Sequence, residues 1–182
     1  HGDVRPQNIW VDASGTVKML QFPLSRDPLA APIDWRKLLA NAGEKPPVEA
    51  DYIAPELIAG GAPDARSDIY QLGCSLYQML TNKPPFPGDS LKAKLEGHLK
   101  SPPAPIEKLN PKAPPELAKL VSYMMQKKPD MRYQQMTSVI EKLLPFMSII
   151  EAQSQPAAPT RASMAYDAWL MQVLQAGPGP MG

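Results

Sequence analysis

A chain of 182 residues with a hydrophobic fraction of 43% is long enough to bury one substantial core and to carry a tail beyond it. Its net charge of +1 excludes the strongly basic surface that nucleic acids and anionic membranes attract. A single cysteine, Cys74, excludes an intrachain disulfide and a cysteine-based zinc site. No apolar run approaches the roughly 20 residues of a membrane helix, and no signal peptide opens the chain. A cytoplasmic setting is therefore expected, with no nucleic-acid partner and no membrane span in this chain.

Two short β-prone runs come first in the predicted fold. Residues 9–11 and 17–20 flank Asp12 to Gly15, and an Asp and a Gly between such runs predict a tight hairpin. Prolines then interrupt residues 21–50, where one short helix is predicted at 34–41.

Four longer helices are predicted after residue 60. They cover residues 65–81, 91–98, 115–126 and 136–147. Asp64 or Ser67 is expected to cap the first helix. Apolar residues recur at spacings of three and four, which indicates one buried face on each of three helices: Ile69, Leu72, Gly73, Leu76 and Leu80; Leu117, Leu120, Val121 and Met124; Val139, Ile140, Leu143 and Leu144. Cys74 is expected in the core, and His98 on the surface.

The composition shifts to Ala, Gln, Pro, Ser and Gly after Ile150, which is typical of a flexible linker. We therefore divide the chain into a domain at 1–147 and a tail at 148–182. Residues 166–174 form one amphipathic segment in the tail, which either docks on the domain or a partner, or stays unstructured. The predicted fold class is mainly α with a short β-hairpin, because nothing alternates strand with helix as a doubly wound sheet does.

Several short motifs occur in a fixed order along the chain. They are His1-Gly2-Asp3-Val4-Arg5-Pro6-Gln7-Asn8, Gln21-Phe22-Pro23, Ala54-Pro55-Glu56, Asp68-Ile69-Tyr70-Gln71-Leu72-Gly73 and Lys128-Pro129-Asp130-Met131-Arg132-Tyr133. In order and spacing they resemble the protein kinase family of the serine/threonine type. The resemblance implies the C-terminal lobe of that fold, with the N-terminal lobe absent from this sequence, and no kinase activity for this chain alone.

The resemblance also implies catalytic roles for residues of the opening motif. Asp3 would accept the proton of the substrate hydroxyl, and Asn8 would bind one Mg²⁺. Arg5 stands where Lys is usual and would contact the transferred phosphate. Trp10 would lie at the floor of the adenine pocket. The implied cofactors are ATP and Mg²⁺, and the implied partner is a protein, either as substrate or as binding partner.

Several positions depart from the family pattern. Gln21 replaces the metal-binding Asp and offers one neutral carbonyl oxygen, whereas Mg²⁺ prefers anionic oxygen ligands. Pro23 replaces a Gly and restricts the backbone φ angle to about −65°. Gly2 replaces an Arg that receives an activating phosphate, and Glu49 stands where a substrate-facing Thr is usual. These departures predict a pseudokinase, with weak or no phosphotransfer, that acts through protein binding.

The resemblance gives the remaining motif residues structural roles. Asp68 would hold the backbone of the opening loop, His1 would orient that loop, and Glu56 would pair with Arg132. Without a metal, Asn8 would cap the loop through side-chain hydrogen bonds. Two alternatives stay open: an active ATP-dependent serine/threonine kinase in a full two-lobed parent, and nucleotide binding without transfer.

Overall fold

The computed structural model describes residues 1–20 and 45–151, with side chains described to residue 146. The predicted helix at 34–41 and the segment at 166–174 lie outside these residues, as do Gln21 and Pro23. The described residues are mostly helical and include an antiparallel two-stranded sheet, so the predicted fold class is confirmed. The division into 1–147 and 148–182 stays a prediction. Within the described ranges, no helix combines the length and the apolar character needed to cross a membrane.

The hairpin forms where the sequence predicts it. Strand β1 (Ile9–Val11) pairs with β2 (Val17–Met19), with Val11 opposite Val17. The Asp12 carboxylate accepts hydrogen bonds from the backbone N–H groups of Ser14 and Thr16, each at 2.9 Å. Gly15 has a φ of +83°, a conformation that glycine adopts without a steric penalty. Asp12 and Gly15 thus form the tight turn that joins the strands.

The longest described helix lies at the centre of the core, after the short helix α1 (Pro55–Ile58). Helix α2 (Ala65–Thr81) begins at Asp64, whose side chain accepts from Arg66 N–H, and Ser67 completes a capping box. It ends at Asn82, which adopts the left-handed conformation with a φ of 56°. Both ends of the helix therefore follow from local capping chemistry, and the predicted bounds are confirmed.

The core surrounds α2 on more than one side. Tyr70, Cys74 and Tyr77 are buried with Val121 in one cluster, and Ile69 is buried with Leu120, Met124 and Val139 in another. The predicted stripe describes only part of this burial, because a helix packed on several sides lacks a single inward face. A Cβ atom at Gly73 would lie 2.9 Å from Met125 Cγ. The absence of a side chain at Gly73 therefore lets α2 and the segment that contains Met125 approach closely.

Helices α3 (Leu91–Lys100), α4 (Ile106–Leu109), α5 (Pro115–Met124) and α6 (Met136–Glu151) complete the described α-helices. Helix α6 continues to Glu151 rather than ending at 147. Val139 is fully buried, as predicted, but the expectation for Ile140 and Leu144 is wrong, since they are 51% and 53% exposed. Each follows an inward residue and therefore lies about 100° further around the helix.

The prediction of a surface position for His98 is also wrong. Its side chain is completely buried, and its ring packs edge-on against Phe86 with a centroid distance of 4.7 Å. Its Nδ1 hydrogen-bonds with the Tyr70 hydroxyl at 2.9 Å. Gly97 makes this packing possible, because a Cβ atom there would lie 2.7 Å from Phe86 Cβ.

Candidate functional site

The opening loop is anchored to α2 by side chains on one face of that helix. The Asp68 carboxylate accepts from the backbone nitrogens of His1 and Gly2, at 2.7 and 2.8 Å. Gln71 Oε1 accepts from Val4 N–H at 2.9 Å. These polar contacts hold the backbone of the loop against the helical core.

Sequence reasoning missed two of these anchors. Gln71 accepts from Val4 N–H, and Ser75 Oγ donates to Val4 O at 3.0 Å. Both residues are buried. Asp68, Gln71 and Ser75 recur at spacings of three and four, so they form a polar stripe on one face of α2. This stripe was the sequence signal that could have predicted the anchors of the opening loop. The structure places His1 beside Asp3, since His1 Nδ1 accepts from Asp3 N–H at 3.3 Å, and its role in orienting the loop stays a prediction.

Three residues predicted to act together do lie together. The 3₁₀ turn Pro6–Asn8 brings the buried Asn8 side chain under Asp3, where Nδ2 donates to Asp3 Oδ2 at 2.8 Å and to Asp3 O at 2.9 Å. Arg5 Nε lies 3.0 and 3.1 Å from the two carboxylate oxygens of Asp3. The Asp3 carboxylate is therefore already bound by one amide and one guanidinium group.

Arg5 also contacts a second carboxylate, from a distant turn. Its Nη1 lies 2.8 Å from Glu49 Oε1, and Glu49 belongs to the 3₁₀ turn Val48–Asp51. That turn is held on the C-terminal side of Glu49, because Asp51 pairs with Lys94 on α3 and the Tyr52 hydroxyl donates to Gln78 on α2. The pair of Arg5 and Glu49 thus ties the opening loop to the turn.

The side chains at this site do not fit a magnesium ion well. Asn8 offers a neutral oxygen, and Asp3 already holds the cation of Arg5. The third position that the resemblance implies, Gln21, lies outside the described residues and carries a neutral amide. Mg²⁺ is a hard cation that favours carboxylate and phosphate oxygens in octahedral geometry, so this donor set lacks a free anionic ligand.

Trp10, to which the resemblance assigns a place in the adenine pocket, is exposed to solvent. Trp10 lies on β1 opposite Lys18 and is 57% exposed. Its neighbour Val11 and the facing Val17 are also exposed. Within the described residues Trp10 therefore belongs to the exposed surface of the hairpin.

A second polar cluster contains the other predicted pair. Arg132 and Glu56 lie in contact through two hydrogen bonds, Nη1 to Oε1 at 2.8 Å and Nη2 to Oε2 at 2.7 Å. Ser67 Oγ donates to the same Glu56 Oε1 at 2.8 Å. This cluster joins α1 and the start of α2 to the turn that precedes α6.

Comparisons with known proteins agree with the motifs. The family model described as protein kinase domain matches residues 1–144. Serine/threonine-protein kinase PknB of Mycolicibacterium smegmatis is 37% identical over 134 residues, which cover 74% of this chain and 21% of that protein. The probable serine/threonine-protein kinase SCO3848 of Streptomyces coelicolor is 32% identical over 165 residues, which cover 91% and 23%. The PknB of Mycobacterium leprae is 36% identical over 134 residues, which cover 74% and 21%. The chain thus spans less than a quarter of the length of these relatives.

Proposed function

Since this chain belongs to the protein kinase family, we propose that it is the C-terminal lobe of a pseudokinase, which transfers phosphate weakly or not at all and acts by binding other proteins. The relatives are serine/threonine kinases by name. The lobe has the helical framework that the family resemblance implies, because the opening loop is held by Asp68 and the helices pack around α2. The side chains at the site depart from the pattern that the resemblance implies.

The observation that carries the proposal is the state of the Asp3 carboxylate. In phosphoryl transfer this group positions the attacking hydroxyl and accepts its proton, while cations neutralise the phosphoryl oxygens. Here Arg5 Nε lies 3.0 and 3.1 Å from the two carboxylate oxygens of Asp3. The base and the phosphate-contacting cation are therefore engaged with each other.

The metal position supports the same conclusion. A glutamine at position 21 contributes no charge to hold a divalent ion that bridges the phosphates. Asn8 is neutral as well, so the two positions that resemble metal ligands together supply no anion. Weak binding of Mg²⁺, and with it of ATP, is the expected result.

An active kinase is the second candidate, and one contact favours it. Asp3 and Asn8 hydrogen-bond at 2.8 Å, so two of the residues needed for transfer are preorganised. In that case Asp3 orients a serine or threonine hydroxyl, Arg5 contacts the γ-phosphate, and Asn8 holds the remaining metal ion. The two candidates differ in whether nucleotide binds with Mg²⁺ and whether phosphate reaches a protein.

The test uses the full-length protein and its Gln21→Asp variant. We expect the unmodified protein to show no Mg²⁺-dependent rise in melting temperature with ATP, since stabilisation follows occupancy, and little transfer of radiolabelled phosphate. Gln21→Asp restores the missing charge and should raise both signals. Gln126→Asp, which makes the same change at an exposed position, is the matched control and should raise neither.

One result would contradict the proposal that this protein is a pseudokinase. Strong phosphate transfer by the unmodified protein, lost in an Asp3→Asn variant, would establish an active kinase and refute the proposal. The binding role has its own readout, because a protein partner of a pseudokinase should bind Asp3→Asn as tightly as it binds the unmodified protein.

A further inference from the structure

We propose that Glu49 acts as a built-in substitute for a phosphate group at Arg5, so that it closes a latent anion-binding site. The resemblance assigns Arg5 to the phosphate, but it assigns no such role to Glu49. The proposal deepens the function proposed above, on which it rests for the location of the site.

The geometry of Arg5 leads to this inference. A guanidinium group presents planar N–H donors that match the oxygens of carboxylates and phosphates. Arg5 uses Nε for Asp3 and Nη1 for Glu49. The side chain of Arg5 is only 11% exposed, so water screens these contacts less than at an open surface. Glu49 therefore occupies a donor that an incoming anion would need.

The charges at the site point the same way. Two carboxylates face one guanidinium group, so Asp3, Arg5 and Glu49 together carry one excess negative charge. Two like charges that meet at one guanidinium group repel each other at the effective dielectric constant of a protein surface. The Glu49 carboxylate therefore weakens the binding of a second anion at Arg5. Removing the Glu49 charge leaves Asp3 and Arg5 balanced and frees Nη1.

The position of Glu49 depends on the backbone of its turn and not only on the conformation of its own side chain. Its neighbour Ala50 is fully buried, Asp51 is paired with Lys94, and Tyr52 is buried with its hydroxyl bonded to Gln78. The backbone on the C-terminal side of Glu49 is thus held against α2 and α3, which keeps the carboxylate aimed at Arg5.

The test measures the affinity of inorganic phosphate for the full chain by ³¹P NMR titration. Glu49→Gln keeps the size of the side chain and removes its charge, and we expect phosphate to bind at least about tenfold more tightly than to the unmodified chain. Glu49→Asp keeps the charge and should show a smaller gain. Glu96→Gln, which removes an exposed carboxylate from α3, is the matched control and should show none.

A double variant locates the site. Glu49→Gln combined with Arg5→Ala should lose the gain, because the receiving guanidinium group is gone. Equal affinity in the unmodified chain and Glu49→Gln would overturn the proposal, and so would a gain that survives Arg5→Ala. Strong phosphotransfer by the unmodified protein would refute the proposed function and leave this titration unaffected, so the two failures are distinguishable.

Discussion

Arg132 and Glu56 form a bidentate ion pair, although they lie 76 positions apart in the sequence. Arg132 Nη1 donates to Glu56 Oε1 at 2.8 Å, and Nη2 donates to Oε2 at 2.7 Å. Arg132 is 2% exposed. Its other donors reach the backbone carbonyls of Gln126, Arg66 and Lys127 at 2.7 to 3.0 Å. All five N–H groups of the buried arginine are thereby used.

The carboxylate of this pair stays ionised because of the contacts around it. Burial by itself would raise the pKa of Glu56, but the hydrogen bonds from Arg132 and Ser67 outweigh it and hold the pKa below the ordinary value of 4.5. A carboxylate with a lowered pKa stabilises the fold fully above its unfolded pKa. That contribution is lost as the pH falls below 4.5 through the lowered pKa.

Replacing Arg132 by alanine should therefore be strongly destabilising. We expect the free energy of unfolding to fall by about 3 kcal/mol or more, because Glu56 would be left partly buried without its cation. Urea denaturation at neutral pH measures the loss. The matched control is Arg66→Ala, whose partners Asp64 and Asp130 are 46% and 88% exposed and whose loss should cost about 1 kcal/mol or less. Equal losses in the two variants would mean that the buried pair contributes no more than a surface pair.

His98 should make the protein sensitive to mild acid. Burial lowers the pKa of its ring from 6.5 to about 3, and the nearby cation of Lys127 adds to this. The backbone of Ala50 and Asp51 favours the protonated form but does not compensate. Below pH 6.5 His98 is therefore protonated in the unfolded chain but not in the folded chain. As the pH falls from 6.5 to about 3, the free energy of unfolding decreases by up to about 1.4 kcal/mol per pH unit.

The comparison of the unmodified chain with His98→Gln checks this dependence. Glutamine retains a polar partner for the Tyr70 hydroxyl and does not titrate. Between pH 6.5 and 5, above the range in which Glu56 titrates, the free energy of unfolding from urea denaturation should decline less steeply in the variant. Parallel curves for the two proteins would show that His98 is protonated as readily in the folded state as in the unfolded state.

Gly97→Ala should destabilise the fold although alanine favours a helix. The added Cβ would lie 2.7 and 2.8 Å from Cβ and Cγ of Phe86, and Phe86 cannot retreat easily because it packs against His98. Overpacking of this kind costs about 1 to 3 kcal/mol, against a gain of at most about 1 kcal/mol in helix propensity.

Thermal and urea unfolding of Gly97→Ala measure the balance. Glu96→Ala, at an exposed position of the same helix, is the control and should change stability by about 0.5 kcal/mol or less. If Gly97→Ala were as stable as the unmodified chain, the contact between α3 and Phe86 would be looser than these distances indicate.

The sequence by itself determined the elements whose signals are local. The bounds of α2 follow from Asp64 and Ser67 at one end and Asn82 at the other, and the hairpin follows from Asp12 and Gly15. These features depend on hydrogen bonds and backbone angles within a few residues, which the order of residue types specifies directly. The spaced motifs likewise predicted the family. The opening motif predicted that Asp3, Arg5 and Asn8 lie together.

Only the tertiary structure decided which side chains lose contact with water and which charges meet. His98 is buried because Gly97 admits Phe86, Ile140 is exposed because α6 turns Val139 toward the core, and Glu49 reaches Arg5 because Asp51 and Tyr52 are fixed to separate helices. Each outcome depends on the relative placement of elements far apart in the chain. Helical periodicity carries no information about that placement, since it reports one element at a time.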